Sequence, residues 1–130
     1  MRASKAYEYA VLRVVPDVVR EEFINVGVIL YCASEGSLEV RIVLDEGRLL
    51  AICSTVDLEL VREHLTAVER VCRGGKEAGP IGELSTVERF RWLVSPRNTI
   101  LQTSAAHAGM CEDPRAALEH LVLRSVVVKS

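Results

Sequence analysis

No two cysteines in this chain form a C-x-x-C pair, and none stands at knuckle spacing with a histidine. The four, Cys32, Cys53, Cys72 and Cys111, lie about twenty to forty residues apart, which excludes the common zinc modules and leaves no metal or cofactor to expect. Long apolar runs are missing as well. The longest, Val26 to Ala33, has eight residues, whereas a bilayer span needs about 20. No signal-peptide pattern precedes it, so the expectation is a soluble, cytoplasmic protein that does not touch membranes. Strong charge of either sign is absent too. A net charge of −2 excludes a general nucleic-acid binder, which needs a basic face to neutralise phosphates. There is no internal repeat and no low-complexity tract. The glycine-rich stretch Gly74 to Gly82, GGKEAGPIG, is no phosphate loop: its lysine follows Gly75, Pro80 interrupts it, and a helix rather than a strand comes before.

What is present is the composition of one ordinary domain spanning residues 1–130. Hydrophobic residues make up 49% and charged ones 26%, enough to bury a core without staples. Two apolar runs rich in Val, Ile, Leu and Tyr predict strands over 6–15 and 23–33. Pro16 ends the first, because it has no N–H for the ladder. The link Pro16 to Glu22 carries Asp17, Arg20, Glu21 and Glu22. A third strand is expected over 38–44, after the turn at Gly36, and a fourth over 99–106, where Thr99, Leu101, Thr103 and Ala105 alternate with Ile100, Gln102, Ser104 and Ala106. Gly27 marks a bulge or a close approach in the middle strand.

Helices announce themselves through their caps. Asp45 opens a short one that breaks near Ser54. The stripe Val61, Leu65, Val68, Cys72 predicts a longer one over 57–73, stopped by Gly74-Gly75. Ser85 with Glu88 makes a capping box for 86–94, and Asp113-Pro114 opens 114–125. Val126 to Val128 either ends that helix or adds a short β-edge. The expected architecture is therefore α+β, an antiparallel sheet of three to four strands with helices packed mainly on one face.

The polar residues inside apolar segments are the candidates for chemistry. Arg13 in the first strand and Asn25 in the second need partners if the sheet is covered. With Arg20, Glu21 and Glu22 they form either a structural ion-pair cluster or half of a binding site. The arginines Arg89, Arg91 and Arg97 flank the only tryptophan, Trp92, and Thr99, Gln102 and Ser104 follow. Guanidinium groups hold phosphate or carboxylate, and an indole offers a stacking face; against this, the same helix could point Phe90 and Leu93 inward and leave the arginines in water. Cys32, Cys53 and Cys72 read as core residues. Cys111 reads as a loop residue, and His107, four positions earlier, could fold back to make a Cys-His nucleophile pair, although nothing nearby supplies an oxyanion hole.

Two runs carry a family resemblance. V-P-D-x-x-R-E-E-x-x-N-V-G-V, from Val15 to Val28, and R-F-x-W-L-x-x-P-R-x-T, from Arg89 to Thr99, resemble the bacterial family called domain of unknown function 3037. The likeness runs from about Tyr7 to Leu121, and it departs from the family's habit at Ala105 and Ala106, where a proline is usual. The resemblance implies no activity. It implies that Arg13, Pro16, Arg20, Glu21, Asn25, Gly27, Arg91, Pro96, Arg97, Thr99, Gln102 and Ser104 are the characteristic positions. It also implies a partner, since the family's genes often lie beside one for a HipA-like kinase. Two functions follow as expectations. The first is a non-enzymatic binding or regulatory module acting on a protein partner. The second is a small enzyme or nucleotide-binding protein in which Arg13, Asn25, Arg91, Arg97 and Gln102 converge on a phosphate-bearing ligand, which requires them to lie within about 12 Å of one another. A homodimer through an edge strand fits either.

Overall fold

The structure is a computed structural model and describes residues 3–17, 19–97 and 99–128. The two apolar runs form a long antiparallel hairpin, β1 (Lys5–Asp17) and β2 (Glu22–Cys32), and a 3-10 turn with Gly36 in the left-handed region leads into β3 (Ser37–Ile42). Four helices follow the caps read from the sequence: α1 (Glu46–Ile52), α2 (Leu58–Arg73), α3 (Thr86–Leu93) and α4 (Pro114–Ser125). Asp45, Asp57 and Asp113 each accept from a backbone N–H of the first turn. The Ser85–Glu88 capping box is closed in both directions.

The fourth strand departs from expectation. The alternating run 99–106 does not make one strand; it breaks into β4 (Leu101–Thr103) and, beyond 106, β5 (His107–Cys111), so the segment expected as a loop is itself a strand. Both pair with the outer edge of β1, β4 near its end and β5 near its beginning, to complete a five-stranded antiparallel sheet in the order β3-β2-β1, then β4 and β5. Ser104 bridges the break. Its Oγ accepts from Val11 N–H at 2.9 Å and its own N–H donates to the Val11 carbonyl at 2.9 Å. Val126 to Val128 add no edge strand, because Val126 continues the helical pattern by donating to the Val122 carbonyl.

Alternation along β1 sorts the core. Leu12 and Val14 pack with Val61, Leu65, Val68, Phe90 and Leu49 under α1, α2 and α3. The opposite face is covered by α4, where Leu118, Val122 and Val126 meet Val28, Leu30 and Cys32, with Tyr7 and Tyr9 alongside. In β2 the alternation changes phase. Leu12 pairs with Gly27 but Arg13 pairs with Asn25, which leaves Val26 unopposed as a bulge and puts Ile24, Val26 and Ile29 on the same side. Gly27 is held by the approach of β3, since a Cβ there would meet the Arg41 carbonyl oxygen at 2.7 Å. Cys72 is buried as expected, whereas Cys53 and Cys111 are only half-buried. Among the described residues no helix is long and apolar enough to cross a membrane.

Candidate functional site

Because Leu12 and Val14 face the large core, Arg13 between them faces the side covered by α4. It is the middle of a cross-strand row, opposite Asn25 on β2 and opposite Gln102 on β4. The row joins residues from both motif runs. Asn25 Nδ2 donates to the Ser125 carbonyl at 3.0 Å, which anchors the end of α4 to the hairpin. Gln102 Nε2 donates to the Thr99 carbonyl at 3.1 Å. The Arg13 guanidinium lies over Phe23, with Cζ 4.1 Å from the ring centroid. Among the described residues no carboxylate pairs with Arg13, so the expected ion-pair cluster with Glu21 and Glu22 does not form.

Among the described residues, two buried polar atoms in this row have no hydrogen-bond partner, Arg13 Nε and Asn25 Oδ1. One is a donor and the other an acceptor, on residues that oppose each other. Leaving such atoms unsatisfied costs about 1–3 kcal/mol each, and a ligand that brings both an acceptor and a donor removes that penalty. Phe23 is 46% exposed and roofs the spot. The row offers hydrogen-bonding groups, a guanidinium and an aromatic face, which are groups that can hold a ligand. Phe23 is the member that the sequence reading missed, although an aromatic two residues before Asn25 shares its strand face.

Arg91 does not join this row, and Arg97 borders only its Gln102 end. Arg91 lies on α3 and makes a two-pronged contact with Glu8 at 3.4 and 3.5 Å. Glu8 shares the strand face of Leu12, so this pair belongs to the opposite side of the sheet. Arg97 lies flat on Trp92, Cζ 4.0 Å from the ring centroid, and donates to the Trp92 carbonyl. Burial pushes its guanidinium below the usual pKa. It borders a cavity of about 190 Å³ with His64, Val71, Trp92, Thr99 and Leu101. Of the five residues expected to converge on a phosphate, Arg13, Asn25 and Gln102 form the row, Arg91 is taken by Glu8 on the opposite face, and Arg97, stacked on Trp92, borders a small gap that Gln102 also lines. Arg89 has a third role: it ties the end of α2 to the start of α3, donating to the carbonyls of Val71 at 2.7 Å and Cys72 at 2.8 Å.

The other candidates are dispersed. Arg20 pairs with Glu22 at the exposed hairpin tip. Glu21 there adopts φ 58°, the one positive value among the described non-glycine residues. Thr99 Oγ1 donates to the Leu101 carbonyl at 2.7 Å, and Ser104 is occupied by β1. His107 and Cys111 stand at opposite ends of β5, about 13 Å apart along an extended strand, so the Cys-His pair is out of hydrogen-bonding reach. His107 instead packs against Tyr9, ring centroids 5.3 Å apart. The Cys111 thiol is pushed up, first by burial and then by Cys32, away from the reactive thiolate.

The sequence model of a family described as protein of unknown function (DUF3037) matches residues 9–126. That span contains both motif runs and the whole Arg13–Asn25–Gln102 row. No curated protein and no solved structure matches the chain.

Proposed function

The chain belongs to the DUF3037 family, and on that footing we propose that it is a non-enzymatic binding module that docks a protein partner at the turn end of the β1–β2 hairpin. The observation that carries this reading is the orphan donor of Arg13 and the orphan acceptor of Asn25, residues paired across the hairpin ladder, with the Arg13 guanidinium against the half-exposed Phe23. A peptide group presents an acceptor and a donor a few ångströms apart, the complement of that pair. Arginine is also among the residues enriched at the energetic centres of protein interfaces. Apolar surface supports the same location. Val19 at the hairpin turn is 91% exposed, and Leu123, Val127 and Val128, within three residues of the Ser125 carbonyl that Asn25 holds, are exposed too. The partner that the family resemblance supplies is a HipA-like kinase.

Co-expression tests it. The chain and a HipA-like kinase from the same genome should co-elute, and hydrogen exchange in the complex should slow over 19–25 and 123–128. A kinase that elutes alone, or protection confined to other segments, overturns the assignment.

A second reading has its own observation, the carboxylate-free Arg97 beside its small cavity. At about 190 Å³ this space falls below the roughly 300–1,000 Å³ of ordinary ligand pockets, so a nucleotide is too large and a small anion is the fitting class. Millimolar inorganic phosphate or acetate that raised the melting temperature of the native chain, but not of Arg97→Ala, would favour it; no shift in either would remove it.

A further inference from the structure

We propose that two copies of this chain join edge to edge through β3, in a two-fold antiparallel pairing centred on Val40, to give one continuous sheet. Among the described residues β3 pairs only with β2, so its other side is an open edge. Val43 N–H donates to the Val26 carbonyl at 2.7 Å, and the alternation of an antiparallel ladder then turns the N–H and C=O groups of Leu38, Val40 and Ile42 outward. A trough of about 550 Å³ opens beside Leu38, Glu39 and Val40 of this edge, walled by Glu69, Cys72 and Arg73 of α2 and by Arg115, Leu118 and Glu119 of α4. An added strand has room there.

The sequence of the edge is complementary to itself. Reading Leu38-Glu39-Val40-Arg41-Ile42 against a second copy in reverse places Leu38 on Ile42, Val40 on Val40, and Glu39 on Arg41. The outward backbone groups fall on the same register, because Val40 at the two-fold axis is itself an outward residue; about six new ladder hydrogen bonds follow. The two faces agree as well. Leu38, Val40 and Ile42 lie on the face of the large core. Glu39 and Arg41 lie on the α4 face, where Arg115 sits 3.3 Å from Glu39 and Arg41 sits 3.2 Å from Glu119. In the pair these charges become a chain of alternating sign, Arg115, Glu39, then Arg41 and Glu119 of the second copy. Electrostatic and backbone registers therefore select a single alignment out of those an edge could adopt. The edge of β4 and β5 lacks this pattern: it is interrupted at 104–106, and β5 has no alternating charges.

The test is the concentration dependence of mass, by light scattering after gel filtration, for the native chain and a small variant set. The native chain should dimerise. Glu39→Arg alone and Arg41→Glu alone turn both symmetry-related attractions into repulsions and should each weaken the dimer about 10-fold. The double exchange should return it to within about 3-fold, since the cross-strand pairs are restored; the exposed contacts to Arg115 and Glu119 stay reversed but contribute little. Val40→Pro removes an N–H that the single chain does not use and should give a monomer. Should that variant unfold, the charge exchange still decides. A native chain that stays monomeric at high concentration, or a dimer indifferent to all of these changes, overturns the proposal.

Discussion

Arg13 and Asn25 face each other across the β1–β2 ladder, and each keeps one buried polar atom without a partner, Nε on the first and Oδ1 on the second. The isolated chain therefore carries a penalty at the place where it is proposed to bind. Arg13→Met keeps the stem over Phe23 and removes the orphan donor. It should leave stability unchanged or raise it by about 1 kcal/mol, read as the midpoint of urea unfolding. A loss above about 2 kcal/mol would make Arg13 a structural residue instead.

Glu21 takes φ 58° at the hairpin tip, where a Cβ is unfavourable. Glu21→Gly should stabilise by about 0.5–1 kcal/mol, with no change in the steepness of the unfolding curve. Destabilisation would mean that the Glu21 side chain makes contacts outweighing its backbone strain.

Arg89 serves the fold. Its Nη1 bonds the carbonyls of Val71 and Cys72, its Nε bonds that of Leu84 at 3.2 Å, and a Cβ added at Gly74 would sit 2.9 Å from its Cζ. Arg89→Ala should cost about 2–3 kcal/mol, and Arg89→Lys should recover less than half, since an ammonium cannot span several carbonyls. Phosphate should shift the melting temperatures of both variants by the same amount as that of the native chain.

Cys72 gives a pH signature. Burial, opposed by Arg89 and aided by Glu69, pushes its thiol up to about 12 from 9.0. Above about pH 9 the unfolded chain loses this proton while the folded chain keeps it, so the folded state binds more protons and stability falls as pH rises. The contribution is present below pH 9.0 and lost on the way to about 12, with a limiting slope of about 1.4 kcal/mol per pH unit. Cys72→Ala should be less stable at neutral pH and should lack this part of the alkaline slope. Equal slopes in the two proteins would contradict the assignment.

The local elements were legible wherever a single side chain dictates them. Asp45, Ser85 and Asp113 each cap the helix they announce, because capping needs only a side chain and the next turn. The division of 99–106 was not legible. Its alternation continues unbroken through Ala106, and the gap arises only because Ser104 finds Val11, ninety-three positions away. Nor does HAGMC, with no β-branched residue, look like a strand until β1 supplies its partner. The polar positions Arg13, Asn25 and Gln102 could be picked out as misplaced in apolar strands. That they form one row, while Arg91 is drawn to Glu8 and Arg97 to Trp92, depends on register between distant strands and on the bulge at Val26, neither of which leaves a local trace. Phe23 escaped notice because an apolar residue opening a strand looks like core.

The most direct measurement is the affinity of a HipA-like kinase for the native chain and for Arg13→Met, by isothermal titration. The native chain should bind, and the variant, folded and at least as stable, should bind at least about 10-fold more weakly, as for an anchoring arginine in the centre of an interface. Equal affinities, or no binding by either, would contradict the placement of the docking site at Arg13 and Asn25.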